Sequence, residues 1–256
     1  MKIGISTSCF YPNTTEQSLE RIATLGFEDI EVFVNAPSES TVSYAKMLKK
    51  SAKDCGLNII AFHPYTSFAE SYCLFGSYER RRQDFYEIYK QYFEAAACMG
   101  ATIFNFHGCR DDWAMDIDRY CEIYAHLYRL AKKSGIRFSQ ENVNRHYAAK
   151  PDFLMGMKDR LGEDICFTMD VKQAKRSGVE PCLIRDAMGK QLIHFHASDY
   201  LDGGACALPG QGICCYEDIF DSHLRSDKVS KVIEVYSSDF TEDRQLREAA
   251  KFVSKL

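Results

Sequence analysis

The chain has 256 residues, of which 46% are hydrophobic and 27% charged, and carries a formal net charge of −4. That balance provides apolar surface for one large core and argues against disorder, and the mildly acidic charge argues against nucleic acid as a partner because no global positive field draws the chain onto phosphates. Eight short apolar runs then recur in chain order: Ile3 to Thr7, Ile30 to Val34, Asn58 to Phe62, Ala101 to Phe106, Ile136 to Gln140, Ile165 to Met169, Gln191 to Phe195 and Val229 to Val235. Each reads as a buried strand. The longer segments between them have helical spacing, and several close on a glycine, as a helix C-terminus favours: Gly26, Gly56, Gly100, Gly135 and Gly162. Thr14 and Gln17 stand at capping-box spacing before the first helix, and Pro151 sits where a first helical turn tolerates proline.

Parallel strands need crossover helices, so eight strand–helix units in series predict an α/β fold, a closed (β/α)8 TIM barrel occupying residues 1–256 as a single domain. An open, doubly wound sheet is the alternative. No apolar run reaches the roughly 20 residues that span a bilayer, and the start of the chain lacks the apolar stretch of a signal peptide. Eleven cysteines without a C-x-x-C pair predict reduced thiols and a cytoplasmic location.

The informative feature is where ionisable residues fall. His63, His107, Glu141, Asp170, His196 and Glu234 each stand at or near the end of a predicted strand, and in a barrel that rim is the active-site face. Strand alternation puts His194 and His196 on one face, and Val232, Glu234 and Tyr236 on another. A buried carboxylate such as Glu234 must be protonated, paired or metal-bound. With Glu141, Asp170 and His196 converging on the same rim, the four predict a site for one divalent ion, Mn, Co, Mg or Zn.

His63 and His107, which end strands at sharp turns, are candidates for substrate contact or a second ion, against the simpler reading as packed histidines. His126, His146 and His223 read as structural. Arg110, Arg145, Lys172, Lys175 and Arg176 follow strand ends and could meet a substrate phosphate, although solvated surface charge is the plainer account, as it is for Arg80 to Arg82. Phe10, Tyr65, Phe68, Trp113 and Tyr200 are candidate rim aromatics over a sugar face.

Taken together, Ile30-Glu31-Val32, Phe62-His63-Pro64-Tyr65, Phe106-His107-Gly108, Gln140-Glu141-Asn142, Met169-Asp170, His194-Phe195-His196 with Asp199, Leu208 to Gly212 and Glu234 resemble the xylose-isomerase-like barrels along the whole chain. That superfamily contains sugar-phosphate isomerases and epimerases and the apurinic-site endonucleases. The resemblance to its ketose 3-epimerases implies metal ligation by Glu141, Asp170, His196 and Glu234; with it go the expectations of catalysis by Glu141 and Glu234 and of substrate contacts from His63, His107, Gln173, Trp113 and Asp199. Gln173 stands where the family often has a histidine. Asp202 to Leu208 contains no histidine, which argues against the endonuclease branch and its three-metal cluster.

The expected activity is metal-assisted proton transfer next to a carbonyl, through an enediolate, on a sugar or sugar phosphate. Epimerisation and aldose–ketose isomerisation stay open. The rivals are an inosose dehydratase-like lyase, then an apurinic-site endonuclease, then a barrel that binds sugar without turnover. The expected partner is a small carbohydrate, with a homo-oligomer possible.

Overall fold

A computed structural model describes residues 1–256. In chain order its elements are β1 (Gly4–Ser6), α1 (Thr15–Thr24), β2 (Asp29–Phe33), α2 (Val42–Asp54), β3 (Asn58–His63), α3 (Glu70–Cys73), α4 (Glu79–Met99), β4 (Ile103–Phe106), α5 (Ile117–Lys133), β5 (Arg137–Glu141), α6 (Pro151–Leu161), β6 (Cys166–Asp170), α7 (Val171–Arg176), α8 (Pro181–Met188), β7 (Leu192–Ala197), β8 (Asp199–Tyr200), β9 (Cys206–Ala207), α9 (Tyr216–Ile219), β10 (Ser230–Ile233) and α10 (Arg244–Ser254).

The eight apolar runs all become strands, and they close a parallel barrel in the order β1, β10, β7, β6, β5, β4, β3, β2. This closure excludes the open sheet. The local signals are built as expected: Thr14 and Gln17 make a full capping box, Pro151 occupies the first turn of α6, and the five helix-end glycines all have positive φ. No helix is long and apolar enough to cross a membrane.

Two details depart from the sequence reading. The eighth run is shorter than expected, so Glu234 lies just past β10, yet its amide still donates to the Ala197 carbonyl at 3.0 Å and the strand spacing carries on through it. After β7, the expected loop contains an antiparallel hairpin, β8 with β9, that ends where Leu208 to Gly212 begins.

Alternation along the staves separates two environments. Phe62, Phe104, Phe106, Phe138, Phe167 and Phe195 are fully buried, and Phe104 and Phe138 meet Phe93 of α4 at ring separations of 4.9 and 5.6 Å. The intervening positions bring polar side chains into the barrel. Ser139 and Thr168 share a hydrogen bond of 2.7 Å, Thr168 donates to Asn105 at 2.7 Å, and Asn105 donates to Glu31 at 2.5 Å. Above this network lies the rim that carries the ionisable residues.

Candidate metal centre

Four strand ends bring Glu141, Asp170, His196 and Glu234 together. One ligand atom from each lies within 4.8 Å of the other three, and all four residues are buried. The register explains the meeting: Asp170 is level with His196 on β6 and β7, and His196 is level with Val232 on β10, one pleat below Glu234. His196 Nδ1 is 2.9 Å from Glu234 Oε2, 3.5 Å from Glu141 Oε1 and 3.7 Å from Asp170 Oδ2. Ligands bound at about 2.1 Å to one ion stand roughly 3 to 3.5 Å apart, so the spacing suits a divalent cation.

Two buried atoms in this group, His196 Nδ1 and Glu141 Oε2, make no hydrogen bond. Nδ1 is close to Glu234 Oε2, but the geometry is wrong for donation. An unpaired polar atom at this depth costs about 1–3 kcal/mol. One imidazole and three carboxylates with orphaned atoms in their midst form a donor set that fits a hard or borderline divalent ion.

The imidazole is oriented from beneath. Glu31, fully buried on β2, accepts from His196 Nε2 at 3.1 Å, from His194 Nε2 at 3.0 Å and from Asn105, all through its Oε2. That network assigns a proton of His196 to Nε2 and turns Nδ1 toward the carboxylates. Glu31 and His194 belong to the machinery of the site, and the sequence reading did not give either a role.

Charges in the cluster perturb one another strongly. Burial alone would raise Glu141, but His107 and His196 hold it well below the usual carboxylate range. Burial likewise opposes ionisation of Glu234, and His196 with Lys172 outweighs it. For Asp170 burial wins over the pull of Lys172, and the carboxyl is raised. Burial would depress His196, yet Glu234, Glu31 and Glu141 raise it well above its ordinary value.

Above the four residues opens a cavity of about 350 Å³ lined by Ser8, Tyr11, Phe33, Asn35, His63, His107, Glu141, Lys172, Gln173, Glu234, Val235 and Tyr236. Asp170 and His196 lie beneath it. His63 and His107 reach this cavity as expected, with their Nε2 atoms 2.9 Å apart and 3.5 and 3.2 Å from Glu141 Oε2. These three atoms form a second group that could hold an ion. Gly108 lets the chain turn sharply after His107: its φ is +80°, and a Cβ there would collide with the Tyr120 hydroxyl. Gln173 also lines the cavity, and its Oε1 accepts from the Asn144 amide at 3.2 Å.

Several expectations are corrected. Asp199 does not face the cavity; its carboxylate accepts from the amides of Tyr200, Gly210, Gly212 and Cys214 at 2.8 to 3.1 Å and pins the loop that starts at Leu208. Trp113 also lies outside the lining, edge-on to Tyr72. The expected rim aromatics do not line it either: Phe10 and Tyr200 are buried in the core, and Phe68 is exposed. Tyr11, Phe33 and Tyr236 take that position instead. Arg82 is buried and donates to the carbonyls of Leu74 and Gly76 rather than forming a solvent face.

The largest correction is Lys172. Instead of reaching solvent it is 4% exposed and turns back into the site, with Nζ 2.5 Å from Asp170 Oδ2 and 2.6 Å from Glu234 Oε2. His126, His146 and His223 are structural as expected: His126 stacks on Tyr86, and His146 and His223 bond to the carbonyls of Asn144 and Leu192.

No curated protein sequence matches the chain. Solved structures do. A D-tagatose 3-epimerase-like protein superposes with a TM-score of 0.80 at 18% identity over 100% of this chain and 96% of that one. A D-psicose 3-epimerase from Clostridium cellulolyticum H10 gives 0.77 at 16% identity over 100% and 98%, and a probable 3-DHS dehydratase from Bacillus anthracis 0.76 at 14% over 99% and 99%. At these identities the likeness is one of fold. Residues 19–256 match the family model of the xylose isomerase-like TIM barrel, and the chain belongs to that family.

Proposed function

We propose that this protein is a divalent-metal-dependent isomerase or epimerase of a sugar or sugar phosphate, working by proton transfer next to a carbonyl through an enediolate. The observation that carries the reading is a pair of carboxylates, Glu141 and Glu234, entering one cavity from separate strands with Asp170 and His196 grouped beneath them. Glu141, Asp170, His196 and Glu234 would hold the ion, which when bound supplies Lewis acidity that eases loss of a proton beside a carbonyl.

The chain's own residues divide the remaining work. Asp170 is sealed from the cavity and serves as ligand only. Glu141 and Glu234 both reach the cavity, so one removes the proton and the other returns it, a role worth about 10²- to 10⁴-fold for each. His63 and His107 lie against Glu141 Oε2 and orient it. Because the Gln173 carbonyl oxygen is engaged by Asn144, its amide nitrogen is left to donate to a substrate hydroxyl. Tyr11, Phe33 and Tyr236 cover the apolar face of the sugar and exclude water. The 3-epimerases among the structural neighbours favour epimerisation over aldose–ketose exchange. Eleven free thiols favour a reducing cytoplasm.

The test is solvent-deuterium incorporation across ketoses, ketose phosphates and inososes with Mn or Co present. Label at a single carbon identifies substrate and reaction together, and a product that has lost water points to the lyase instead. Glu234→Gln keeps the fold and should lower turnover by at least about 10²-fold. Exchange at no carbon of any member of the panel, or unchanged turnover in that variant, contradicts the reading.

A further inference from the structure

Lys172 is the second residue of α7, two residues after Asp170, and its ammonium has three N–H donors. Each of them is spent inside the metal cluster: on Asp170 Oδ2 at 2.5 Å, on Glu234 Oε2 at 2.6 Å and on the Glu234 carbonyl at 3.3 Å. These two carboxylate oxygens also face His196 Nδ1, at 3.7 and 2.9 Å. An ion held by those oxygens and the imidazole would therefore have to share them with a positive charge at hydrogen-bond distance, which repulsion at this depth forbids.

The lysine satisfies only half of the cluster. His196 Nδ1 keeps no hydrogen bond, whereas all four residues are close enough together to share one divalent ion. A permanent lysine would leave that nitrogen unpaired at a continuing cost, so the ammonium fits a temporary occupant better than a lasting replacement. Room for its departure exists, because Lys172 already lines the cavity and the Tyr236 ring stands 6.0 Å from Nζ, a face suited to a cation.

Resting on the metal site proposed above, we infer that Lys172 is a tethered cation that competes with the divalent ion for Asp170 and Glu234, and that it swings into the cavity when the ion binds. Lys172 thereby sets how tightly this chain holds its metal. It also adds a positive charge to the substrate side of the loaded site.

Two measurements on the full chain test this. In calorimetric titration of chelator-stripped protein with Mn2+, Lys172→Met should bind at least about tenfold tighter than wild type, since a competing charge has been removed, and His196→Ala should abolish binding in both backgrounds. Independently of any variant, acetylation of wild-type Lys172 by acetic anhydride, read by peptide mass spectrometry, should rise several-fold on adding Mn2+. Equal or weaker Mn2+ binding by Lys172→Met, or labelling that ignores Mn2+, overturns the competition while leaving the metal site standing. Absence of Mn2+ binding in both wild type and Lys172→Met overturns the metal site itself, and the competition with it.

Discussion

The two faces of the barrel wall are built on opposite principles. The outer face of the staves is aromatic and dry: Phe138 alone packs within 4.7 to 5.9 Å of the rings of Phe93, Phe104, Phe106 and Tyr124. The inner face, one residue away along the same strands, carries Glu31, Asn105, Ser139, Thr168, His194 and His196 in a single hydrogen-bonded network. The difference teaches that stability and site geometry are assigned to alternate residues of the same strands. Burying an inner polar network brings little net stability, but it fixes the direction of each side chain at the rim.

Substitutions on the two faces should then fail in different ways. Phe138→Ala removes a fully buried ring and should cost about 3–5 kcal/mol in denaturant unfolding, with little change in metal affinity per folded molecule. A matching loss of affinity in the folded fraction would break the separation. Glu31→Gln is the inner counterpart. It replaces the charged acceptor that holds His196 Nε2 by a neutral amide oxygen, and should weaken Mn2+ binding by about 10- to 100-fold while lowering stability far less than Phe138→Ala does. Unaltered Mn2+ affinity would show that Glu31 does not orient the imidazole.

The smallest effect concerns Glu70, which sits where the two environments meet. It is fully buried on α3, accepts from the Tyr89 hydroxyl and takes the Gly108 amide at 2.5 Å, which steadies the turn after His107. Burial raises its carboxyl from 4.5 to about 8. The native state thus keeps a proton that the unfolded chain gives up, so the stability this group contributes is complete below about 4.5 and is lost as pH rises through about 8. Glu70→Gln cannot ionise, and its Tm should fall less than that of wild type between pH 5 and pH 8. Parallel Tm curves would remove Glu70 from the pH response.

Much of this was legible in the chain because it depends on short-range periodicity. Alternation along a strand places Glu141, Asp170 and His196 inward at strand ends, and an ionisable residue in an apolar run is conspicuous wherever it stands. What stayed hidden depends on pairings across the fold. Lys172 reads as a solvated first-turn lysine until Glu234, 62 residues on, is known to lie beside it. Glu31 is an acid within a strand until Asn105, His194 and His196 are brought to it from 74, 163 and 165 residues away. Asp199 enters the expected substrate contacts only with the family-like His194-Phe195-His196 stretch, and nothing local reveals that the amides of Gly210, Gly212 and Cys214 fold back to occupy it.

The central claim is that Glu141, Asp170, His196 and Glu234 hold one cation between them. Elemental analysis of protein stripped with a chelator, soaked in Mn2+ and desalted addresses it without any assumption about substrate. About one ion per chain, retained by wild type and lost in His196→Ala, is the predicted result. Protein that emerges from the soak with no bound metal would contradict it.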